Sequence, residues 1–467
     1  MKIPEKPPNM LDLMSDFGLN TTNGINLSSN DDKKFKLDFL SILKYFNLIN
    51  SIVKGEELNV PEKEKEILLN VNYVHWDDLK YKDFSMDKKE LWFILQLLRA
   101  FKNQNFKIKG YSFKYCLTNT LLKRIHEIDK ATFGEMNIGL KNVNEKYKKK
   151  YLIASLIEEA IASSQIEGAT TTRKKAKEMI LQQKKPTNNS EKMIYNGYIT
   201  MEYIYDNLIN EQLTPEVILE LHRSITEDTL NDKKDEMQYR DNDEIVVGDN
   251  LDVGITYHTP PKYAEIPELM EEFCNFANSD EDGYFIPPII KGIILHFLIG
   301  YIHPFNDGNG RTARAIFYWY VLSRGYVGFR YTAISRILKN AKKKYAKAYL
   351  YSETDENDLT YFINYNLDAI EKSIEEMNRY ISRREKELVD IGEEFYENTA
   401  LNSRQADILR YFYNNPEKYV TIKEVQNMFF VAYDTARNDL ELLVKNNKII
   451  KRKNGKRFEY MAILNNN

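Results

Sequence analysis

At 467 residues, with 43% hydrophobic and 29% charged side chains, the chain holds enough apolar mass for two or three cored domains and is not of disordered composition. Its net charge of −3 excludes a global field that would draw the whole chain onto nucleic acid or an acidic membrane. The two cysteines, Cys116 and Cys274, are too few and too far apart for a disulfide framework and suit a reducing compartment. Met1 to Pro8 lacks the apolar core of a secretion signal. The most lipid-like stretch, Tyr284 to Phe305, contains Pro287, Pro288, Lys291 and His296, so a buried helix is expected there in place of a membrane span. The expectation is a cytoplasmic protein with no membrane partner.

In chain order, residues 1–34 are polar and read as an extended tail. Apolar residues at helical spacing predict a helix over Phe35 to Val53 and another over Lys88 to Phe101. Asn103 to Lys114 reads as irregular, and Cys116 to Ala131 as helix. Tyr73, Trp76 and Trp92 are expected to be core and not a ligand box, as aromatics at such spacing usually are. A helix over Tyr151 to Ala162 runs into Ser163-Ser-Gln-Ile-Glu167-Gly168, where Ser163 and Glu167 share one face and Gly168 suits a helix stop. The basic run from Thr171 to Lys185 reads as solvated surface.

Thr214 and Pro215 signal a helix start, and the helix carries His222, read as a hydrogen-bonded core histidine. Ile245 to Asn250 and Ile255 to His258 predict a hairpin, the one β element expected in the middle of the chain. Helices follow over Tyr263 to Ala277 and Pro288 to Tyr301, the second carrying His296 as a packing residue. Further helices are predicted over Ala315 to Arg324, Ile334 to Ser352 and Leu359 to Asn378, the last continuing as a polar arm through Asp390. From residue 401 the character changes: three short helices and a hairpin around Asn454-Gly455 spell a winged helix-turn-helix. That module carries 12 Lys and Arg against 7 Asp and Glu, so DNA is a candidate partner, with protein docking the equal rival.

Between two apolar runs lies His303-Pro-Phe305-Asn-Asp307-Gly308-Asn309-Gly310-Arg311-Thr-Ala-Arg314. A Gly-rich turn opening a helix presents unpaired N–H groups to an anion. Arg311 and Arg314, three apart on one helix face, can grip phosphates. Asp307 suits a hard cation such as magnesium, and His303 can accept a proton near neutral pH. The pattern points to movement of a nucleotide phosphate.

This stretch resembles the signature of the Fic family, His-Pro-Phe-x-(Asp/Glu)-Gly-Asn-Gly-Arg-x-x-Arg, with all nine fixed positions present. The resemblance implies a mainly α fold: an all-helical Fic core with a small β-hairpin flap, a helical N-terminal extension and a C-terminal winged helix-turn-helix. The corresponding division is a tail and helical region over 1–145, the core over 146–378 with an inhibitory helix at 151–168, a helical linker over 379–400, and the winged module over 401–467.

The implied activity is transfer of AMP from ATP to a Tyr, Thr or Ser hydroxyl of a protein, or of the chain itself. His303 would be the base and Asp307 would hold Mg²⁺. Phe305, Gly308, Asn309, Gly310, Arg311 and Arg314 would form the ATP site, with Asn309 also touching the α-phosphate. Ser163, Glu167 and Gly168 match the family's inhibitory pattern, in which the glutamate pairs with the second arginine, here Arg314, in the place of the γ-phosphate. An autoinhibited enzyme is therefore expected, with a homodimer as a candidate assembly. The alternatives are a DNA-binding regulator whose Fic domain senses nucleotide, or a Fic enzyme that uses another donor or removes AMP.

Overall fold

The computed structural model describes residues 2–10, 12–13, 49–52, 54, 60–69, 73–134, 145–245, 247–248, 256–279, 285–396, 401–413, 415, 417–455 and 457–463. Among them the chain is mainly helical. Most of the expected tail and of the helix over Phe35 to Val53 lies outside the described residues, of which 49–52 are helical. The helices are α1 (Glu62–Leu68), α2 (Trp76–Leu79), α3 (Lys88–Ala100), α4 (Asn119–Thr132), α5 (Glu145–Ile166), α6 (Arg173–Leu181), α7 (Asn189–Tyr203) and α8 (Pro215–Thr226). They continue as α9 (Ile266–Asn278), α10 (Pro288–Ile302), α11 (Asn309–Ser323), α12 (Ile334–Asn340), α13 (Lys342–Thr354), α14 (Thr360–Tyr396), α15 (Ser403–Tyr413), α16 (Ile422–Phe429) and α17 (Tyr433–Lys445). Three small antiparallel sheets punctuate them: β1 (Asn103–Ile108) with β2 (Tyr111–Cys116), β3 (Val247–Gly248) with β4 (Thr256–His258), and β5 (Val420–Thr421), β6 (Ile449–Asn454) and β7 (Arg457–Ala462) in the order β5-β7-β6.

The main core is built around α10, whose side chains are buried on every face, as a helix apolar all round must be. Helix α11 packs on it closely: a Cβ at Gly292 would approach Val321 Cγ1 at 3.1 Å. Near the end of α10, a Cβ at Gly300 would lie 2.6 Å from the Tyr349 hydroxyl of α13, so a larger residue would have to displace that ring. The α10–α11 corner is thereby held from several sides, and it carries the signature motif.

Two expectations are corrected. The stretch read as irregular, with the start of the following helix, is the β1–β2 hairpin, turned by Lys109 at φ 42° and Gly110 at φ 82°. Its alternating Phe106, Ile108, Phe113 and Tyr115 pack toward the core, with Phe106 and Phe113 stacked at 5.4 Å between centroids. The predicted single helix over Ile334 to Ser352 is two, broken at Ala341 (φ −134°, ψ 39°). Trp76 and Trp92 are buried in an N-terminal core with Leu91 and Leu95, as expected of core aromatics.

At the other end, α15, α16 and α17 close over Leu409, Phe412, Val425, Leu440 and Tyr460 beneath the three-stranded wing. Thr421 and Glu424 form a reciprocal cap at the start of α16. This module touches the core through α16: Asn427 donates to the Leu181 carbonyl, Gln182 donates to Glu424, and the Lys150 ammonium lies 5.3 Å from the Phe429 ring centroid. No helix among the described residues is long and apolar enough to cross a membrane.

Candidate functional site

The site is the corner between α10 and α11. Helix α10 ends at His303, which adopts a left-handed backbone (φ 50°, ψ 58°) and turns the chain out of the helix. Its Nδ1 lies 3.3 Å from the Gly300 carbonyl, which can only accept, so Nδ1 carries the proton and Nε2 keeps its lone pair. Burial, reinforced by the nearby charges of His258 and Arg240, pushes the imidazole down to about 4, so it is neutral at physiological pH.

The loop that follows is organised by its own side chains. The Asn309 carboxamide accepts from the Phe305 N–H at 2.9 Å and donates to the Phe305 carbonyl at 2.7 Å. Asn309 therefore shapes the loop, where the resemblance also gives it a contact with the α-phosphate. Gly308 caps α11 at φ 87°, and a Cβ there would fall 2.7 Å from Thr226 Cγ2. Gly308→Ala is expected to cost about 1–3 kcal/mol through the forced backbone and the clash, measured as a lowered denaturant midpoint. An unchanged midpoint would show that the loop relaxes freely.

Arg311 and Arg314 leave the first and second turns of α11 and are both buried. Arg311 donates to the Ile225 carbonyl and to Asp307 Oδ2, each at 3.2 Å. Arg314 donates to Ser163 Oγ at 2.9 Å, to the Ser163 carbonyl at 3.0 Å and to Glu167 Oε1 at 2.8 Å. Each arginine keeps one buried nitrogen without a partner, Nε of Arg311 and Nη1 of Arg314. Buried donors left unmade are costly, and two beside a helix N-terminus suit the oxygens of an anion.

Glu167 stands one residue beyond α5, where Gly168 at φ 100° ends the helix. Its carboxylate reaches over the start of α11, so a Cβ at Gly310 would clash with Oε1. Burial pushes the Glu167 carboxyl up, but the charge and hydrogen bond of Arg314, with Arg311 behind them, outweigh it and hold the group below the usual carboxylate value. The structure thus brings Ser163, Glu167, His303, Asp307, Gly310, Arg311 and Arg314 to one corner.

The Asp307 side chain is 58% exposed, and its Oδ1 accepts from the Gly308 N–H at 2.6 Å. No group of three or more His, Cys, Asp or Glu side chains able to hold a metal ion occurs among the described residues. A single solvent-facing carboxylate fits magnesium only as an ion that arrives with phosphate oxygens and water in its shell.

Three residues of this corner carry no signal in the motif. His222, read from the sequence as a core histidine, is buried and hydrogen-bonded, but its partner is the site loop. Its Nε2 donates to the Asp307 carbonyl at 2.9 Å, and its ring stacks on Phe305 with centroids 3.8 Å apart. Arg240 and His258 hold carbonyls at the end of α10. His296 is the packing residue expected, bonded to the Tyr345 hydroxyl at 2.7 Å.

Burial pushes His75 and His296 down to about 3 and His222 to about 4, alongside His303. Each binds a proton more readily unfolded than folded. Their stabilisation is complete above the ordinary histidine value of about 6.5 and is lost as pH falls toward 4. His258 runs the other way, because Glu353 outweighs burial and raises it. With four histidines against one, the denaturant midpoint is expected to be lower at pH 5 than at pH 7. Equal midpoints would contradict this.

Residues 212–321 match the Fic/DOC family, and residues 404–459 match the DeoR-like helix-turn-helix domain. The protein adenylyltransferase Fic of Drosophila virilis is 28% identical over 178 residues, which are 38% of this chain and 33% of that protein. The protein of the same name in Drosophila melanogaster is also 28% identical over 178 residues, 32% of its length. The match thus spans about a third of these curated relatives. Among solved structures, a Fic family protein from Desulfovibrio desulfuricans G20 is similar at a TM-score of 0.48 and 17% identity, covering 75% of this chain and 97% of that one. Fic-1 (aa134–508) from C. elegans is similar at a TM-score of 0.46 and 15% identity, covering 80% and 92%.

Proposed function

We propose, for a chain that belongs to the Fic family and carries a C-terminal helix-turn-helix domain, that it is a protein adenylyltransferase held off by its own Glu167. The observation that carries this reading is the corner between α10 and α11, where a neutral imidazole whose Nδ1 holds the proton ends one helix and two incompletely paired arginines sit at the start of the next. A target Tyr, Thr or Ser hydroxyl gives its proton to His303 Nε2 while its oxygen attacks the α-phosphorus of ATP. The new O–P bond forms as the Pα–O bond to the β-phosphate breaks, and pyrophosphate leaves.

The backbone N–H groups from Gly308 onward and the buried arginines orient the phosphates and absorb their charge, which is where most of the rate in phosphoryl-type transfer arises. Asp307 would hold magnesium, which when bound neutralises phosphate charge. Phe305 is fully buried under His222 and shapes the loop from beneath. The β3–β4 hairpin, in which Val247 pairs with His258 and Gly248 with Thr256, is the flap that presents the target by strand addition.

Arg314 is the contested residue. Its partners Ser163 and Glu167 are supplied by α5 and its end, and the Glu167 carboxylate lies over Gly310 where a terminal phosphate would sit. ATP meets a site whose anion is already in place. The test is incorporation of α-labelled ATP into lysate proteins and into the chain itself. Label from ATP and none from other nucleotides supports AMP transfer, whereas label only from another nucleotide overturns the choice of donor.

The C-terminal module supports DNA as a second partner. Helix α17 exposes Tyr433, Asp434, Arg437 and Asn438 near its N-terminal end, and the wing exposes Lys453 and Arg457. A gel shift that weakens steeply with salt is expected, and the absence of any shift at low salt would turn the module toward protein docking.

A further inference from the structure

The last turn of a helix leaves carbonyls without partners inside it. At the end of α10, the carbonyls of Tyr301 and of the reacting histidine itself, His303, are both taken by cations from the flanks of the flap. Arg240 Nε donates to the His303 carbonyl at 2.9 Å, and the Arg240 backbone N–H donates to the Pro304 carbonyl at 2.9 Å. The rest of the same guanidinium holds the two roots of the flap. Nη1 donates to the Asn242 carbonyl at 2.6 Å and to the Asp243 carboxylate at 3.2 Å, where the chain enters the flap. Nη2 donates to the Pro261 carbonyl, where the chain leaves it. Arg240 is 3% exposed, so these bonds are made away from competing water.

His258, the last residue of β4, does the same for the carbonyl two residues before. Its Nε2 lies 2.7 Å from the Tyr301 carbonyl and its Nδ1 lies 2.8 Å from the Glu353 carboxylate. A carbonyl and a carboxylate can only accept, so both ring nitrogens donate and the ring is an imidazolium.

We propose that Arg240 and His258 are positioning residues for AMP transfer: they fix the backbone on both sides of the left-handed His303 and lock it in register with the flap that presents the target hydroxyl. The competing account is plain helix capping, in which cations satisfy the C-terminal end of α10 and contribute stability alone. The two accounts part at the imidazole. Arg240 and His258 both face His303 and disfavour its protonation, with Glu167 the charge that opposes them and Glu353 behind His258. Removing either cation should therefore change the base itself, as well as the fold.

The proposal rests on His303 being the base, so its test needs a readout apart from transfer. The chain has six histidines, and labelling their Cε1 with ¹³C lets each ring be titrated by NMR, with His303 assigned by its loss in His303→Ala. In Arg240→Gln and in His258→Gln the His303 ring is expected to titrate at higher pH than in the unmodified chain. In a Glu167→Gly background the same substitutions should lower kcat about 10- to 100-fold, as misplacement of a reacting group does, with KM for ATP changed less than about two-fold. Arg240→Lys keeps the charge but loses the fork, so it should restore the titration and not the rate. Unchanged His303 titration in both Gln variants, with only a fall in thermal midpoint, would overturn the proposal in favour of capping. If the chain transferred no AMP but the His303 titration moved, the reaction assignment would fail and the positioning would stand.

Discussion

Replacing His303 by alanine is expected to slow AMP transfer by about 10²- to 10⁴-fold, the usual worth of a general base. The expectation is specific because the geometry separates the proposed base from the proposed phosphate grip. His303 closes α10, while the arginines and the N–H groups that would hold ATP belong to α11 and the loop before it. The imidazole makes one weak side-chain contact, to Gly300, so its loss disturbs little of the fold. ATP affinity should then stay within a few-fold, and the whole loss should fall in kcat. Isothermal titration with ATP, beside the rate of label transfer, separates the two. A rate within ten-fold of the parent would remove His303 from the mechanism.

Replacing Glu167 by glycine is expected to raise transfer and self-labelling about 10- to 100-fold. Glu167 contributes a charge-assisted hydrogen bond to a buried arginine, an interaction worth about 1.5–3 kcal/mol, and each 1.4 kcal/mol is ten-fold in the population of the open site. The lost carboxylate frees Arg314 for the terminal phosphate and clears the space above Gly310. Ser163 continues to hold Arg314 through its hydroxyl and its carbonyl, so the arginine is not set adrift. Glu167→Gln should release the site only in part, because an amide keeps the bulk and a hydrogen bond while losing the charge. A Gln variant as active as the Gly variant would place the inhibition in charge alone.

The parts legible in the sequence are those whose physics is local. The motif from His303 to Arg314 is contiguous because one helix end, one loop and one helix start make the whole corner. The Thr421–Glu424 cap and the Asn454-Gly455 turn are legible for the same reason. The β1–β2 hairpin was legible in principle, through alternating Phe106, Ile108, Phe113 and Tyr115 about Lys109-Gly110, but the polar Asn103 to Asn105 obscured its first strand. The break at Ala341 leaves only the faint trace of Asn340, a poor helix former set among Leu338, Lys339 and Lys342, which are good ones.

Arg240, His258 and His222 were out of reach for a different reason. Their site-facing partners are the carbonyls of His303, Tyr301 and Asp307, and a backbone acceptor is identical at every position of a chain. Tertiary hydrogen bonds from a side chain to a distant carbonyl therefore leave no pattern to read. Glu167 sits between these cases. Its spacing from Ser163 showed only a shared helix face. Its opposition to Arg314 was implied by resemblance, and in the fold the two groups lie 2.8 Å apart.

The central claim is that one internal carboxylate keeps ATP from lying productively on Arg314. It is tested most directly by incorporation of label from α-³²P-ATP into the unmodified chain, Glu167→Gly, and Glu167→Gly combined with His303→Ala. The account predicts weak label in the first, at least about ten-fold more in the second, and none above background in the third. Equal label in the unmodified chain and in Glu167→Gly would contradict it.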